Sequence, residues 1–341
     1  MPNLSMNEAG NEIKGHETFH ILQTISSILA VAMNAFSFCI IKCYSRAEFG
    51  NYKYLMMIFA IFGIYYAFIE ILVMPVLFPT SFIRRTKYAS AIACLYPSAY
   101  AMSLVVIAAH FVYRYFAICR IQWLYWFNFP HCLIWVVIFI IYSVNYWASA
   151  YFGFRADQPT IDSLREPLHN EYEIDVDDID IVAIMYFAIT SNGLVPRWKN
   201  LAVCVDMLFL IAIVLTIIIF FCIKIQTALR NNIVMSAKTK RLQTQLFKAL
   251  FYQTIVPIVT GFGPASVFFF APLVGWSLGK YTNIITVILS FYPLCDPIVV
   301  LMMIADYRRA IYRMMTCQRA TLKVSSTGNT SNRVDPSLSK S

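Results

Sequence analysis

The sequence predicts an all-α membrane protein, a bundle of seven transmembrane helices. Three observations predict it. Of 341 residues, 59% are hydrophobic and only 13% charged, against roughly a quarter charged in an ordinary soluble domain. Seven stretches reach the length of about 20 apolar residues that a helix needs to cross the hydrocarbon. The scarce basic residues gather in alternate loops between those stretches. Glycine (11) and proline (14) are too few for a fibrous chain, and nine cysteines are too few for a disulfide scaffold.

The first span runs Ile21–Ile41 without a charge. The second, Tyr54–Phe78, is interrupted by Glu70. The third, Tyr88–Cys119, carries Arg114 near its end. The fourth, Cys132–Phe154, is uncharged. The fifth, Leu201–Ile223, has Asp206 near its start, and the sixth, Leu246–Leu273, has Lys248. The seventh, Tyr281–Ala305, contains Asp296. Ile181–Pro196 is a further apolar run, but it is short and holds Asn192, Gly193 and Pro196. It reads as loop structure packed on the bundle.

Charge orients the bundle. With the N-terminus outside, the inner segments 42–53, 114–131, 224–248 and 306–341 hold 18 Lys and Arg; the outer segments 1–20, 80–89, 154–200 and 275–281 hold nine. Twelve acids fall outside, three inside (Glu48, Asp306, Asp335) and three within spans. The positive-inside rule therefore sets the N-terminus outside and the C-terminus inside. The net charge of +9 is a signature of topology, not a nucleic-acid footprint.

The chain divides accordingly into an extracellular N-terminus (1–20), the bundle (21–305) with a long acidic outer loop (154–200) and a basic inner loop (224–248), and a cytoplasmic segment (306–341). Tyr307, Ile311 and Met315 recur every four residues with Arg308, Arg309 and Arg313 between them. This predicts a short amphipathic helix on membrane lipid. Cys317 beyond it is a lipidation candidate, and the Ser/Thr-rich remainder reads as disordered. Asn3-Leu4-Ser5 is an N-glycosylation sequon on the outer side. The first 20 residues lack the basic-then-apolar pattern of a secretory signal, so the first span is expected to direct insertion. The acidic loop contains no cysteine. Cys94 and Cys204, at similar depth on the third and fifth spans, are a disulfide candidate if those helices adjoin.

Acids inside spans cost at least about 2.5 kcal/mol each at mid-membrane and are functional candidates by default, the alternative being an interhelical polar contact. Glu70 lies roughly 24 Å from the inner start of its helix and Asp206 roughly 8 Å below the outer start of its own. Both are ligand-binding candidates for an outward-opening cavity. Asp296 lies roughly 22 Å below the outer start of the seventh span, close to the cytoplasmic side. It is a switch candidate.

Seven helices with the N-terminus out and the C-terminus in is the layout of G-protein-coupled receptors. Local motifs sharpen it. Gly50-Asn51-Tyr52-Lys53-Tyr54-Leu55-Met56 opens the second span. His110-Phe111-Val112-Tyr113-Arg114-Tyr115 ends the third. Arg241–Leu250 leads into the sixth, followed by Gln253-Thr254-Ile255-Val256-Pro257. Tyr292-Pro293-Leu294-Cys295-Asp296-Pro297 and Asp306-Tyr307-Arg308-Arg309 close the seventh. In that order they resemble the Str-type serpentine chemoreceptors of nematodes, the group that includes the diacetyl odorant receptor. The resemblance covers about Gly50 to Tyr312. It implies a chemosensory receptor of the plasma membrane, in the cilia of sensory neurons, that binds a small-molecule odorant and signals through a heterotrimeric G protein. No cofactor, metal or nucleic acid is implied.

By that resemblance Tyr113-Arg114-Tyr115 stands where many receptors carry an acid-Arg-aromatic triplet, so Arg114 is the expected G-protein contact, and the usual acid before it is missing. His110 lies on the same helix face; it is a switch candidate or a hydrogen-bonded core histidine. Asp296-Pro297 resembles the Asp/Asn-Pro element of other receptors. Proline deletes a helical hydrogen bond, so Pro257 and Pro297 mark weak points, and Pro257 is the expected pivot of the sixth helix. Tyr307 completes the group of coupling candidates.

Other classes fare worse. His16-Glu17-Thr18-Phe19-His20 matches the zinc-protease pattern, but no third ligand follows at a recognised spacing, so the chain is read as a non-enzyme. A seven-helix ligand-gated channel is the main rival. Channels of that build known from insects place the N-terminus inside, against the charge count. No inverted repeat suggests a transporter.

Overall fold

The computed structural model describes residues 3–73, 86, 88–172, 175, 180–190, 193–231, 236–276 and 281–316. Among these, seven helices are long and apolar enough to cross a membrane: Thr18–Tyr44, Tyr52–Val73, Ala89–Cys119, Leu133–Phe154, Trp198–Asn231, Ala237–Val274 and Ile284–Met303. Each overlaps one of the predicted spans; the predicted end of the second, 74–78, lies outside the described residues. Cys317 lies outside the described residues, as do the side chains of Asn3, His16 and Glu17.

The third span is the axis. Seventeen consecutive or near-consecutive side chains from Ser98 to Phe116 are buried, on every face of the helix, because the second, fourth, fifth and sixth spans all pack against it. A helix apolar all round is what a central position requires. The fourth and fifth spans lie at the periphery and leave rows such as Ile134, Val137 and Ile141 or Phe209, Ile213 and Phe220 exposed, the face that lipid covers.

Prolines break the spans at predictable places, and neighbours take up the released carbonyls. Pro97 cannot donate to residue 93, and the third span is interrupted at Cys94. The seventh is interrupted between Ser290 and Tyr292, just before Pro293; the Ser26 hydroxyl donates to the Ser290 carbonyl at 2.9 Å. Pro297 frees the Pro293 carbonyl, which accepts from Asn34 Nδ2 at 2.9 Å. Both donors come from the first span. Gly63 makes room for Asn34: a Cβ at Gly63 would overlap its amide.

Pro257 does more than weaken the sixth span. The helix Ala237–Val256 passes into a π-helical segment, Pro257–Phe262, before regular helix resumes at Gly263. Such segments admit an extra residue per turn and occur often at functional sites.

The connection 154–200 holds structure that the sequence reading had as loop. Gln158–Tyr172 is a helix, capped by Asp157, whose carboxylate accepts from the Thr160 N–H and hydroxyl. Strands β1 (Phe187–Thr190) and β2 (Gly193–Pro196) pair antiparallel, Thr190 opposite Gly193. Ile181–Pro196 is thus no span, and its apolar run is explained by the hairpin. The connection is tied down from several sides. Arg197 forms an ion pair with Asp157, Asp180 meets Ser90 and Arg155, and Asn200 donates to the Met185 carbonyl at 2.9 Å. Burial raises the Asp157 carboxyl, but hydrogen bonds from Thr160 and Arg197 outweigh it and hold it below the usual carboxylate value.

At the other end, the predicted amphipathic helix is present as Ala305–Met315. Tyr307 is fully buried, stacks on Phe49 with ring centroids 6.0 Å apart and shares a 2.7 Å hydrogen bond with Ser45. Arg46 forms an ion pair with Asp306. Arg308, Arg309, Tyr312 and Arg313 line an open groove of about 420 Å³.

Candidate functional site

The two ends of the third span carry two different polar clusters, both within the bundle. The first surrounds Arg114, which is only 2% exposed. A buried guanidinium without partners would be costly. Its Nη2 donates to the backbone carbonyl of Gln243 on the sixth span at 3.0 Å, and its carbon sits 5.0 Å from the centroid of the Tyr52 ring on the second span. A carbonyl and a π face thus stand where many receptors use an acid. Tyr113 does not supply that acid's place by itself: its ring packs on Tyr52 at 5.4 Å and edge-on to Phe127 at 5.0 Å. The Tyr52 hydroxyl lies 3.3 Å from His110 Nδ1, and the His110 ring is edge-on to Phe59 at 5.3 Å. His110 is therefore a buried histidine one turn from Arg114, joined to it through Tyr52.

The sixth span is fastened here at three points. Besides Gln243, Gln245 Nε2 donates to the Met303 carbonyl of the seventh span at 2.9 Å. Lys238 pairs with Glu48 at 3.0 Å, and its hydrogen bond holds the Glu48 carboxyl below the ordinary value. All of these contacts would break if this end of the sixth span swung outward.

Between the clusters, Asn34, Ser37, His110, Gln253 and Pro297 line a small cavity of about 10 Å³, room for about one water. Asp296 is 5% exposed, and its Oδ1 has no hydrogen-bond partner among the described residues. Tyr292, one turn before it, is its neighbour on the same span.

The second cluster lies toward the 154–200 connection. Glu70 is 1% exposed, with Ser27 beside it, and among the described residues neither carboxylate oxygen meets a hydrogen bond of good geometry. Tyr66 stands one turn before it. The Tyr66 ring lies 5.7 Å from Tyr96, 6.4 Å from Tyr100 and 5.5 Å from Tyr292, so the second, third and seventh spans meet in four tyrosines. Tyr100 in turn packs on Phe262 at 4.6 Å, and a Cβ at Gly261 would overlap its hydroxyl and ring edge. Both Gly261 and Phe262 belong to the π-helical segment. Of these tyrosines only Tyr292 figured in the sequence motifs, and none as a ligand-site residue; the available signal was Tyr66-x-x-x-Glu70 at helical spacing in an otherwise apolar span.

The other named candidates fall elsewhere. Asp206 lies on the seam of the fourth and fifth spans, where its carboxylate accepts from Ser149 Oγ at 2.8 Å; the structure does not bring it to Glu70. Cys94 and Cys204 do share one apolar cluster, yet both are free thiols, and Cys204 Sγ is instead taken by the Tyr186 hydroxyl at 3.0 Å. Among the described residues no group of His, Cys, Asp and Glu is arranged to hold a metal ion.

The architecture is similar to that of squid rhodopsin, with a TM-score of 0.62 at 13% identity, covering 88% of this chain and 85% of that one. Residues 19–312 match the family described as serpentine type 7TM GPCR chemoreceptor Str. Serpentine receptor class r-10 of Caenorhabditis elegans is 31% identical over 278 residues, 78% of this chain and 82% of that receptor. Its namesake in Caenorhabditis briggsae is 31% identical over 284 residues, 79% and 82% of the two chains. Serpentine receptor class J-38 of Caenorhabditis elegans is 24% identical over 323 residues, 90% and 96%.

Proposed function

The chain belongs to the Str family of serpentine seven-transmembrane G-protein-coupled chemoreceptors, and from that premise we propose that it detects a small odorant-like molecule at the Glu70–tyrosine cluster and activates a heterotrimeric G protein at the Arg114 end. It is a multi-pass membrane protein of a receptor class. The charge distribution puts the tyrosine cluster in the outer half and Arg114 at the cytoplasmic face of the plasma membrane. Sensory cilia are the setting that this reading implies.

One observation carries the reading. Tyr100 belongs to the outer cluster and at the same time packs against the π-helical segment of the sixth span. A ligand that displaces Tyr100 therefore pushes on the weakest stretch of that helix. The inner part of the helix, Ala237–Val256, responds by swinging away. That motion breaks the Arg114–Gln243 hydrogen bond, opens the space beside Arg114 and frees the guanidinium. Its planar fork can then donate to the carbonyls at a helix C-terminus of the G protein. Ligand and G protein each favour the swung-out state, so each strengthens binding of the other.

The test is an odorant panel applied to cells expressing the receptor with a G-protein reporter. Ligand-evoked signals that vanish when the G-protein α subunit is removed are expected. Ligand-evoked currents that persist without it would favour a channel.

A further inference from the structure

The Glu70 cluster carries a statement about ligand chemistry. Glu70 sits within electrostatic reach of Tyr66 and Tyr96 and beside Ser27 of the first span. Among the described residues its two oxygens and the hydroxyls of Ser27, Tyr66, Tyr96 and Tyr100 are all buried without a hydrogen bond of good geometry; Ser27 faces Glu70 and Tyr66 faces Tyr96, but no group of opposite charge joins them. No ion pair reaches Glu70 among the described residues, and no cation figures among the groups that act on it. Buried polar groups in native proteins are nearly always satisfied, so a convergent set of orphans calls for an occupant.

We propose that Glu70 is the counter-ion for a small protonated amine, seated between the second, third and seventh spans. The proposal rests on the functional reading above, which makes this cluster the ligand site, and it adds the class of ligand. An ammonium supplies what the cluster lacks. It brings a positive charge for the carboxylate and several N–H donors at once. The hydroxyl oxygens of Tyr66, Tyr96 and Ser27 accept the remaining N–H bonds. The ring faces attract a cation as well. A neutral ketone or ester offers only acceptors to a carboxylate that is itself an acceptor. A carboxylic acid would meet like charge. The hydrocarbon part of the amine would lie toward Tyr100, Phe262 and Phe268, the apolar side of the same cluster.

The proposal is tested on purified full-length receptor with short alkylamines and phenylalkylamines, each paired with its isosteric alcohol. Thermal stabilisation against concentration gives an apparent affinity for each. The expected result is that amines bind at least roughly tenfold more tightly than their alcohols. Glu70→Gln should erase that preference. Equal affinity for amine and alcohol on the unsubstituted receptor would overturn the proposal, whether or not the Glu70 variant folds. So would an amine preference that survives in Glu70→Gln. Tyr66→Phe and Tyr96→Phe, which keep the rings, should each lower amine affinity a few-fold and alcohol affinity less. The same amines are then applied with the G-protein reporter. Glu70-dependent amine binding with a silent reporter would uphold the amine site and sink the signalling reading. A reporter driven only by neutral odorants, equally in Glu70→Gln, would do the reverse.

Discussion

Arg114 Nη2 donates to the Gln243 carbonyl across 3.0 Å, a direct tie between the third and sixth spans. The same guanidinium rests on the Tyr52 ring. In the proposed mechanism Arg114 would have two roles, restraint at rest and contact with the partner once freed. Arg114→Ala is expected to reach the cell surface and give no ligand-evoked signal. Arg114→Lys should rescue little, because a point charge lacks the planar fork. Tyr52→Ala removes the restraint, worth about 2 kcal/mol for a desolvated cation–π contact, together with the ring's packing on Tyr113 and its hydroxyl beside His110, so surface expression should fall and basal signalling per receptor at the surface should rise. Tyr52→Phe keeps the ring and should stay near the unsubstituted level. Normal signalling by Arg114→Ala would sink the mechanism.

Tyr100 and Gly261 form the contact through which the tyrosine cluster meets the π-helical segment. A methyl group at Gly261 would collide with the Tyr100 hydroxyl, and overpacking of this kind costs about 1–3 kcal/mol. Gly261→Ala should lower the melting temperature in detergent and blunt the ligand response. Tyr100→Leu vacates the space, so the double variant should be more stable than the sum of the single effects allows. A coupling energy below about 0.5 kcal/mol would mean that the two helices do not meet here.

Asn34 exists in its place because Pro297 leaves a carbonyl behind. Its amide donates to the freed Pro293 oxygen and to its own helix at Ala30, each at 2.9 Å. Asn34→Leu should cost about 1 kcal/mol or more, since the Pro293 carbonyl loses its donor in a medium that offers no other. Pro297→Ala restores the helical N–H to that same carbonyl. In the Pro297→Ala background the Asn34→Leu penalty should therefore shrink. An unchanged penalty in thermal melts would show that the amide serves Ala30 alone.

The spans were legible because a charge gap of about 20 residues has few meanings. The acid-free arginine was legible as a puzzle but its answer was not: Gln243 lies 129 positions away and offers a backbone atom, which no side-chain pattern encodes. Pro257 was legible as a weak point, while the π-helical segment and its contact with Tyr100 depend on packing between helices far apart in sequence. Two elements of the outer connection were missed although local signals existed. Asp157 followed by Thr160 marks a helix start, and Asn192-Gly193 marks a hairpin turn. Gly193 indeed takes φ +107, a conformation that suits glycine. The nine acids of that segment masked both, since an acidic run ordinarily reads as solvated loop. Glu70 and Asp206 looked alike in sequence. They part in the fold because Asp206 sits part-buried on a seam with a serine hydroxyl at 2.8 Å, while Glu70 is fully buried among tyrosines with Ser27 beside it.

Topology decides which cluster faces the outside and so bears on every step from ligand to partner. Eighteen basic residues in one set of loops against nine in the other is a bias of the kind that orients bundles. The Arg308, Arg309 and Arg313 groove falls on the basic side, where anionic lipid attracts cations. An epitope at the N-terminus is therefore expected to be reached by antibody in intact cells, and one at the C-terminus only after permeabilisation. If Asn3 is glycosylated, the chain will shift in mass on treatment with a glycosidase, and Asn3→Gln will abolish the shift. The reverse pattern of access would put Arg114 outside and the tyrosine cluster inside. A G protein could then not reach the arginine, and the channel reading, with its cytoplasmic N-terminus, would take precedence.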